Sequence, residues 1–362
     1  MAGKFELRTF SEIDLNDKFF DELKNDYPGT AESTGFVEWF NKKSADGKTA
    51  LVFNDDEGLG AFVCIKTENE IIKLKDKELP SIPRIKISTL RIAERYRGQR
   101  LGEGSIGLVL WKWQKSMCEE IYVTVFEKHT DLITQLDKFG FVPVGKNNNN
   151  ECVYMRSRSN IDYSNPYKAF PFINPNFEKS GYLIIDDNFH DILFPYSELK
   201  YSNSIKSVLD VSNGISKIYL GSPSSTYHYN QGEPIFIYRK FTGEIGKRYK
   251  SCLTTYCVVK KITYINKYGK HLLSYNDYLK LVGNKSVYTT TQLEDLYKRN
   301  VLVAVELVYY GYFGQGNNVN MDWLSNNGCW GSGYPTETRL STEQFKLILR
   351  KGNIDVHSVI VD

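Results

Sequence analysis

The chain has 362 residues with 46 basic and 43 acidic side chains, a net charge of +3, so it is too long for one typical domain and has no overall field drawing it to nucleic acid or membrane. Any such binding has to come from a local patch. Cys64, Cys118, Cys152, Cys252, Cys257 and Cys329 form no Cys-x-x-Cys or Cys/His cluster, which argues against a zinc site or a disulfide framework and suits a reducing cytosol. There is no long apolar run at the N-terminus or elsewhere, so the expectation is a soluble cytoplasmic protein with no signal peptide, membrane span or bound metal.

Apolar spacing predicts a helix over Leu15 to Leu23, and Ser33 or Thr34 can cap a second one carrying Val37, Trp39 and Phe40. Two strands, Thr49 to Phe53 and Gly60 to Thr67, flank an acidic turn. A mostly buried strand follows over Ile85 to Ile92, then a basic turn with Arg95, Arg97, Arg100 and glycines at Gly98, Gly102 and Gly104, then a helix from Ser105 through Trp113. Next come a strand over Glu120 to Phe126, a helix over Thr130 to Phe139, a hairpin tip at Asn147 to Asn150 and a strand over Cys152 to Met155. Prolines at 166, 171 and 175 mark a boundary. Two domains are therefore expected, 1–157 and 181–362, with 158–180 as a connector whose aromatic residues would drape over one or both. The second half is strand-rich over Ser216 to Leu220, Pro234 to Phe241, Thr254 to Ile262 and Asn300 to Phe313. Its expected helices are Asn276 to Leu281, Thr291 to Lys298 and Thr342 to Lys351, with Gly311 to Gly333 as a long loop.

The turn between the central strand and its helix has the composition of an anion site. Glycine allows a sharp turn and close backbone approach, and the first N–H groups of the following helix have no partner inside it. An ordinary turn with solvated arginines has the same spacing. Gln99-Arg100-Leu101-Gly102-Glu103-Gly104, preceded by Tyr96-Arg97-Gly98, resembles the acetyl-CoA signature of the GNAT acetyltransferase superfamily. His129 to Phe141 resembles that family's later helix with its closing K-x-G-F.

This resemblance implies a mixed α/β sheet domain and N-acetyltransferase activity with acetyl-CoA as cofactor. The backbone of Arg97, Gly98, Gln99, Arg100, Leu101, Gly102, Glu103, Gly104 and Ser105 would cradle the pyrophosphate, with Arg97 and Arg100 adding charge. The strand edge at Leu90, Arg91 and Ile92, splayed from Ile121 to Val125, would pair with the pantetheine arm. Two positions depart from the family. Leu136 stands where a proton-donating tyrosine is common, and His129 where an asparagine is. His129, Glu94 and Tyr96 are the candidate catalytic residues, against the plainer readings of a helix-cap histidine and a solvated carboxylate.

Gly232 to Arg239, a basic loop, and Leu253 to Val259 resemble the ASCH and PUA-like superfamily. The overall class is then α+β, a GNAT-like domain followed by a small PUA/ASCH-like β-barrel with flanking helices. Arg239, Lys240, Lys247, Arg248 and Lys250, beside Tyr238 and Tyr256, can pair phosphates and stack bases, or form a solvated rim. Lys250, Thr254 or Thr255, and Glu233 supply the residue types of ASCH hydrolases without matching a motif position by position. The functional expectation is an acetyl-CoA-dependent N-acetyltransferase with an RNA or RNA-linked amine, such as a nucleobase or aminoacyl-tRNA, as acceptor. The alternatives are a protein or small-molecule acceptor with a partner-docking barrel, and a non-catalytic acetyl-CoA sensor.

Overall fold

In the computed structural model, residues 4–30, 34–197, 199, 212–223, 227–331 and 335–361 are described. The first half is built on the strands β1 (Lys4–Thr9), β2 (Thr49–Asp55) and β3 (Gly58–Glu68), the small ladder of β4 (Ile72–Lys73) with β5 (Glu78–Leu79), and then β6 (Arg84–Ile92), β7 (Glu120–Val125), β8 (Val142–Lys146) and β9 (Cys152–Ser157). Its main sheet runs β1-β2-β3-β6-β7-β9-β8. Only β6 and β7 pair in parallel within it, and a parallel pair needs a crossover. Helix α3 (Leu101–Lys115) supplies that crossover, after α1 (Asp21–Asp26) and α2 (Phe36–Ala45), and α4 (Thr130–Lys138) follows β7.

Helix α3 is apolar on nearly every side, as a helix covered from two directions has to be. Ile106, Val109, Leu110 and Trp113 are fully buried. It ends against Arg158, whose Nη2 donates to the carbonyls of Trp113 (2.6 Å), Gln114 (3.0 Å) and Ser116 (2.6 Å), a cation at the negative end of the helix. The helix begins at Leu101 rather than at Ser105, so four residues expected in the turn form its first turn. Arg100 precedes it in the left-handed region, at φ 62°.

Two strands of this main sheet were not legible in the pattern. β1 is an edge strand, and β8 carries Pro143 and Gly145, which read as turn residues but sit at a register shift on the other edge. Of the two cap candidates before α2, Ser33 lies outside the described residues, and Gly35 takes the cap position.

The connector is buried. Phe170, Phe172 and Ile173 have no exposed surface around the short helix α5 (Pro166–Ala169). Arg156 donates to the Phe170 and Lys168 carbonyls, and Gln114 to that of Pro171.

The second half contains β10 (Tyr182–Asp186), α6 (Asp187–Leu193), β11 (Ser216–Gly221), β12 (Pro234–Lys240), α7 (Lys247–Lys250), β13 (Cys252–Lys267), β14 (Lys270–His271), α8 (Tyr275–Val282), α9 (Thr290–Tyr297), β15 (Leu302–Tyr312), β16 (Val319–Asn320), α10 (Met321–Asn326), α11 (Thr342–Lys351) and α12 (Val356–Val359). The sheet runs β10-β12-β13-β15-β11, with β14 and β16 added to β13. Against β15, β13 shifts register at Tyr256/Cys257, Val259/Lys261 and Tyr264/Asn266, and such bulges bend a sheet. Among the described residues no ladder joins β10 to β11, so the expected closed barrel is instead an open sheet. The expected loop from Gly311 starts in β15 and contains α10; Gly333, at its far end, lies outside the described residues.

The core does not stop at the connector. One buried cluster runs from Ile106 and Trp111 through Phe170 to Tyr309, Tyr310 and Phe345. Trp111 Nε1 donates to the Tyr310 carbonyl at 2.6 Å, and the Phe170 and Tyr310 rings meet edge to face at 5.4 Å. Removing a buried aromatic of this kind costs about 3–5 kcal/mol. Among the described residues no helix is long and apolar enough to cross a membrane.

Candidate functional site

Strands β6 and β7 pair over Arg84 to Ile87 against Glu120 to Val123 and then part. The cause lies on the other side of β6. Cys64 pairs with Thr89 and Ile65 with Ile87, so Ser88 is an extra residue that bulges the strand. From Ser88 to Ile92 the edge facing β7 has no strand partner among the described residues, and a cleft of about 820 Å³ opens there. Leu90, Ile92, Val123 and Val125 line its middle, with Gly98 and Gly102 at one end and Glu22, Asp26, Lys128 and His129 at the other. Ser88 Oγ and Gln135 Oε1 belong to cleft-lining residues, are buried, and have no hydrogen-bond partner among the described residues. Buried polar atoms are rarely left so.

At the first end, the earliest bond inside α3 runs from the Gly104 N–H to the Arg100 carbonyl. The N–H groups of Leu101, Gly102 and Glu103 therefore point out of the first turn. The two signature glycines face opposite ways. A Cβ on Gly102 would meet nothing nearer than Ile92 at 3.8 Å, whereas one on Gly104 would lie 1.8 Å from the Asn213 carbonyl oxygen in the second half. Gly98, at φ 76°, needs its glycine for the turn.

The charged side chains of this turn divide in the same manner. Arg97 is exposed, 3.5 Å from Glu94, which is also exposed and lies outside the cleft. Arg100 turns to the second half, where its guanidinium donates to the carbonyls of Ser216 and Asn284 (3.2 Å) and to Glu103 (2.8 Å). Glu103 accepts from Lys138 and from the Ser216 N–H, each at 2.7 Å. Burial pushes its carboxyl up, but Arg100 and Lys138 outweigh burial and hold it well below the usual carboxylate range. Leu101 and Ser105 are fully buried, and Gln99 Nε2 donates to the Arg95 carbonyl at 2.8 Å. Arg91 pairs with Glu22 and the Phe19 carbonyl, tying α1 to β6.

At the other end, His129 Nε2 lies 3.0 Å from Asp26 Oδ2, and Nδ1 lies 3.9 Å from Glu22 Oε1. Asp26 is partly buried, its side chain 6% exposed, and it also pairs with Lys128. The ligand atoms of Glu22, Asp26 and His129 lie within 4.8 Å of one another, a spacing that can hold a metal ion, but Arg91 and Lys128 already neutralise the two carboxylates. Tyr96 borders the cleft, yet its hydroxyl donates to Asp55, and burial together with that carboxylate pushes its pKa up to about 12. Leu136 is fully buried and offers no proton donor. Sequence reasoning missed Glu22, Asp26, Ser88 and Gln135. The i,i+4 spacing of Glu22 and Asp26 was visible, but their partner His129 lies 103 residues beyond Asp26.

In the second half the basic residues are largely paired. Arg239 is buried and makes two 2.8 Å bonds to Asp191, with Asp187 at 3.6 Å. Lys240 lies 3.2 Å from Asp186, and Arg248 pairs with Asp322. Lys250 sits 4.6 Å above the Phe241 ring. Lys240, Lys247 and Arg248 share a groove of about 540 Å³ with Tyr238 and Phe241, while Tyr256 is buried. Glu233 lies beside Val259 at one end of the β12–β13 ladder and Lys250 beside Arg239 at the other, so Lys250, Thr254 or Thr255, and Glu233 do not come together.

No family profile matches the chain, and no curated protein matches it. Solved structures resemble parts of the chain. A GNAT-family acetyltransferase from Streptococcus agalactiae is 13% identical over 44% of this chain and 98% of its own, with a TM-score of 0.31. NAA60 of Arabidopsis thaliana in complex with acetyl-CoA is 17% identical over 43% of this chain and 100% of its own, with a TM-score of 0.30. An ASCH protein from Zymomonas mobilis is 11% identical over 48% of this chain and 96% of its own, with a TM-score of 0.32.

Proposed function

We propose that the chain is an acetyl-CoA-dependent N-acetyltransferase whose reaction runs in the cleft between β6 and β7. The observation that carries this reading is the open strand edge at Ser88 to Ile92, ending at a helix whose first turn presents Gly102 and three N–H groups. Residues 1–157 would form the transferase unit, and 181–362 a unit that docks the acceptor. When bound, acetyl-CoA supplies the acetyl group as a thioester and leaves as the free thiol.

The N–H groups of Leu101, Gly102 and Glu103 suit the negative charge of a pyrophosphate. The edge at Leu90 to Ile92 can exchange backbone hydrogen bonds with the amides of the pantetheine arm, and an N–H of that edge can donate to the carbonyl oxygen as it gains charge. His129, oriented through Nε2 by Asp26, offers Nδ1 to take the proton that the amine loses, and the same proton is then available to the departing sulfur. Holding both reactants in one cleft supplies much of the rate gain.

The narrower form of the reading is that the amine is carried on RNA or on a charged tRNA. Its support is the groove with Lys247 and Arg248 beside Tyr238 and Phe241. The test is transfer of labelled acetyl from acetyl-CoA into a cell extract, with products sorted by RNase, mild alkali and protease. An RNase-sensitive label that falls when Lys247, Arg248 and Lys250 are replaced by alanine supports the RNA acceptor. A label sensitive to protease alone assigns the second half to protein docking, and cofactor binding with no label leaves a sensor.

A further inference from the structure

The second half of the chain touches the phosphate-binding turn at the carbonyl groups that set its shape. Asn213 Nδ2 donates to the Gln99 carbonyl at 3.1 Å, and Asn284 Nδ2 to the Gly98 carbonyl at 2.9 Å. A peptide unit is planar and trans, so a carbonyl fixed in one direction fixes the following N–H in the opposite one. Holding the Gln99 carbonyl toward Asn213 thus turns the Arg100 N–H away from the second half, and Arg100 borders the cleft.

Arg100 closes the contact from the other side. Glycine would be at ease in its left-handed backbone, and an arginine there is costly unless its side chain is held. It is held, by the carbonyls of Ser216 and Asn284. The first turn of α3 is braced likewise, because the Ser216 N–H donates to Glu103 and the Asn213 carbonyl fills the space beside Gly104. These contacts lie on the face of the turn away from Gly102. They therefore support the turn without occupying the place of a ligand.

We propose that Asn213, Asn284 and Arg100 are positioning residues for the cofactor, so that the second half of the chain sets the affinity of the turn for a nucleotide pyrophosphate. This rests on the acetyltransferase reading. The second half is then part of the cofactor site, and anything that shifts its Asn213 to Ser216 or Asn284 segments changes acetyl-CoA affinity.

The test uses the full-length protein, with calorimetric binding of acetyl-CoA and steady-state turnover of two donors, acetyl-CoA and acetyl-pantetheine, which lacks the pyrophosphate. An Asn213→Ala, Asn284→Ala double variant is expected to raise the Kd and KM for acetyl-CoA about 5- to 10-fold, the loss of one to two ordinary hydrogen bonds. Its kcat, and its turnover of acetyl-pantetheine, should stay within about twofold of the parent, because uniform binding alone is lost. Arg100→Gly, which keeps the backbone conformation and removes the bridge, should act in the same direction. Equal acetyl-CoA affinity in parent and variants overturns the proposal, as does an equal loss with both donors, which marks general destabilisation. If the double variant does not fold, Asn284→Leu, which removes one donor at similar size and adds no charge, is measured in its place against the same outcomes. A parent protein that binds no acetyl-CoA overturns the acetyltransferase reading itself, a result distinct from a parent that binds and variants that bind equally well.

Discussion

The cleft between β6 and β7 and the basic groove of the second sheet are made from similar residues, arginine, lysine and aromatics, but differ in how much hydrogen-bonding capacity is left over. In the groove region Arg239, Lys240 and Arg248 each have a carboxylate partner. In the cleft, Ser88 Oγ and Gln135 Oε1 have none among the described residues, and a strand edge and a helix start lie open. Residue type marks both regions as candidate sites; unmet hydrogen bonding favours one of them.

Breaking the paired region should have a large effect. Arg239→Ala leaves Asp191 and Asp187 without their cation, and urea unfolding should show a loss of about 3–5 kcal/mol. In the open region Gly102→Asp sets a carboxylate against the pyrophosphate, so acetyl-CoA affinity should fall roughly 100-fold by calorimetry, with the melting temperature nearly unchanged. Gly104→Asp should behave oppositely and lose the fold, since its Cβ has no room beside Asn213. His129→Ala should lower kcat about 100-fold while the Kd for acetyl-CoA holds.

A smaller effect comes from Glu103, whose carboxyl is held below its ordinary value. Its contribution to stability is full above that value and is lost as pH falls below it. Between pH 4.5 and pH 3 the parent should lose up to about 2 kcal/mol from this group, a slope that Glu103→Gln abolishes in urea titrations. The smallest effect is expected for Lys247→Ala, exposed at the groove, where stability should stay within about 0.5 kcal/mol.

The sequence was most legible where one stretch carries its own pattern. The 85–113 run announced its strand, turn and helix, and the termini of α11 were set by Ser341 and the period that follows it. Legibility failed where the deciding partner is remote. Nothing near Gly104 says that it packs on Asn213, and nothing near Arg100 says that its charge is taken up by the second half. The open form of the second sheet was hidden for a related reason: strand patterns give the strands, but closure depends on whether the first and last of them meet. Edge strands β1 and β8 escaped because an edge needs less regular alternation than a buried strand.

The continuity of the core through Trp111, Phe170 and Tyr310 bears on how such a chain can be rearranged. A protein whose parts meet through polar, detachable surfaces can exchange one part for another by recombination at the linker. Here a breakpoint between 158 and 180 would strip the cover from Phe170, Phe172 and Trp113 at once, and a foreign second half would have to reproduce Tyr310, Ser216 and both asparagines to replace it. The two halves are heritable as a pair, and substitutions on either side of the seam are constrained by the other.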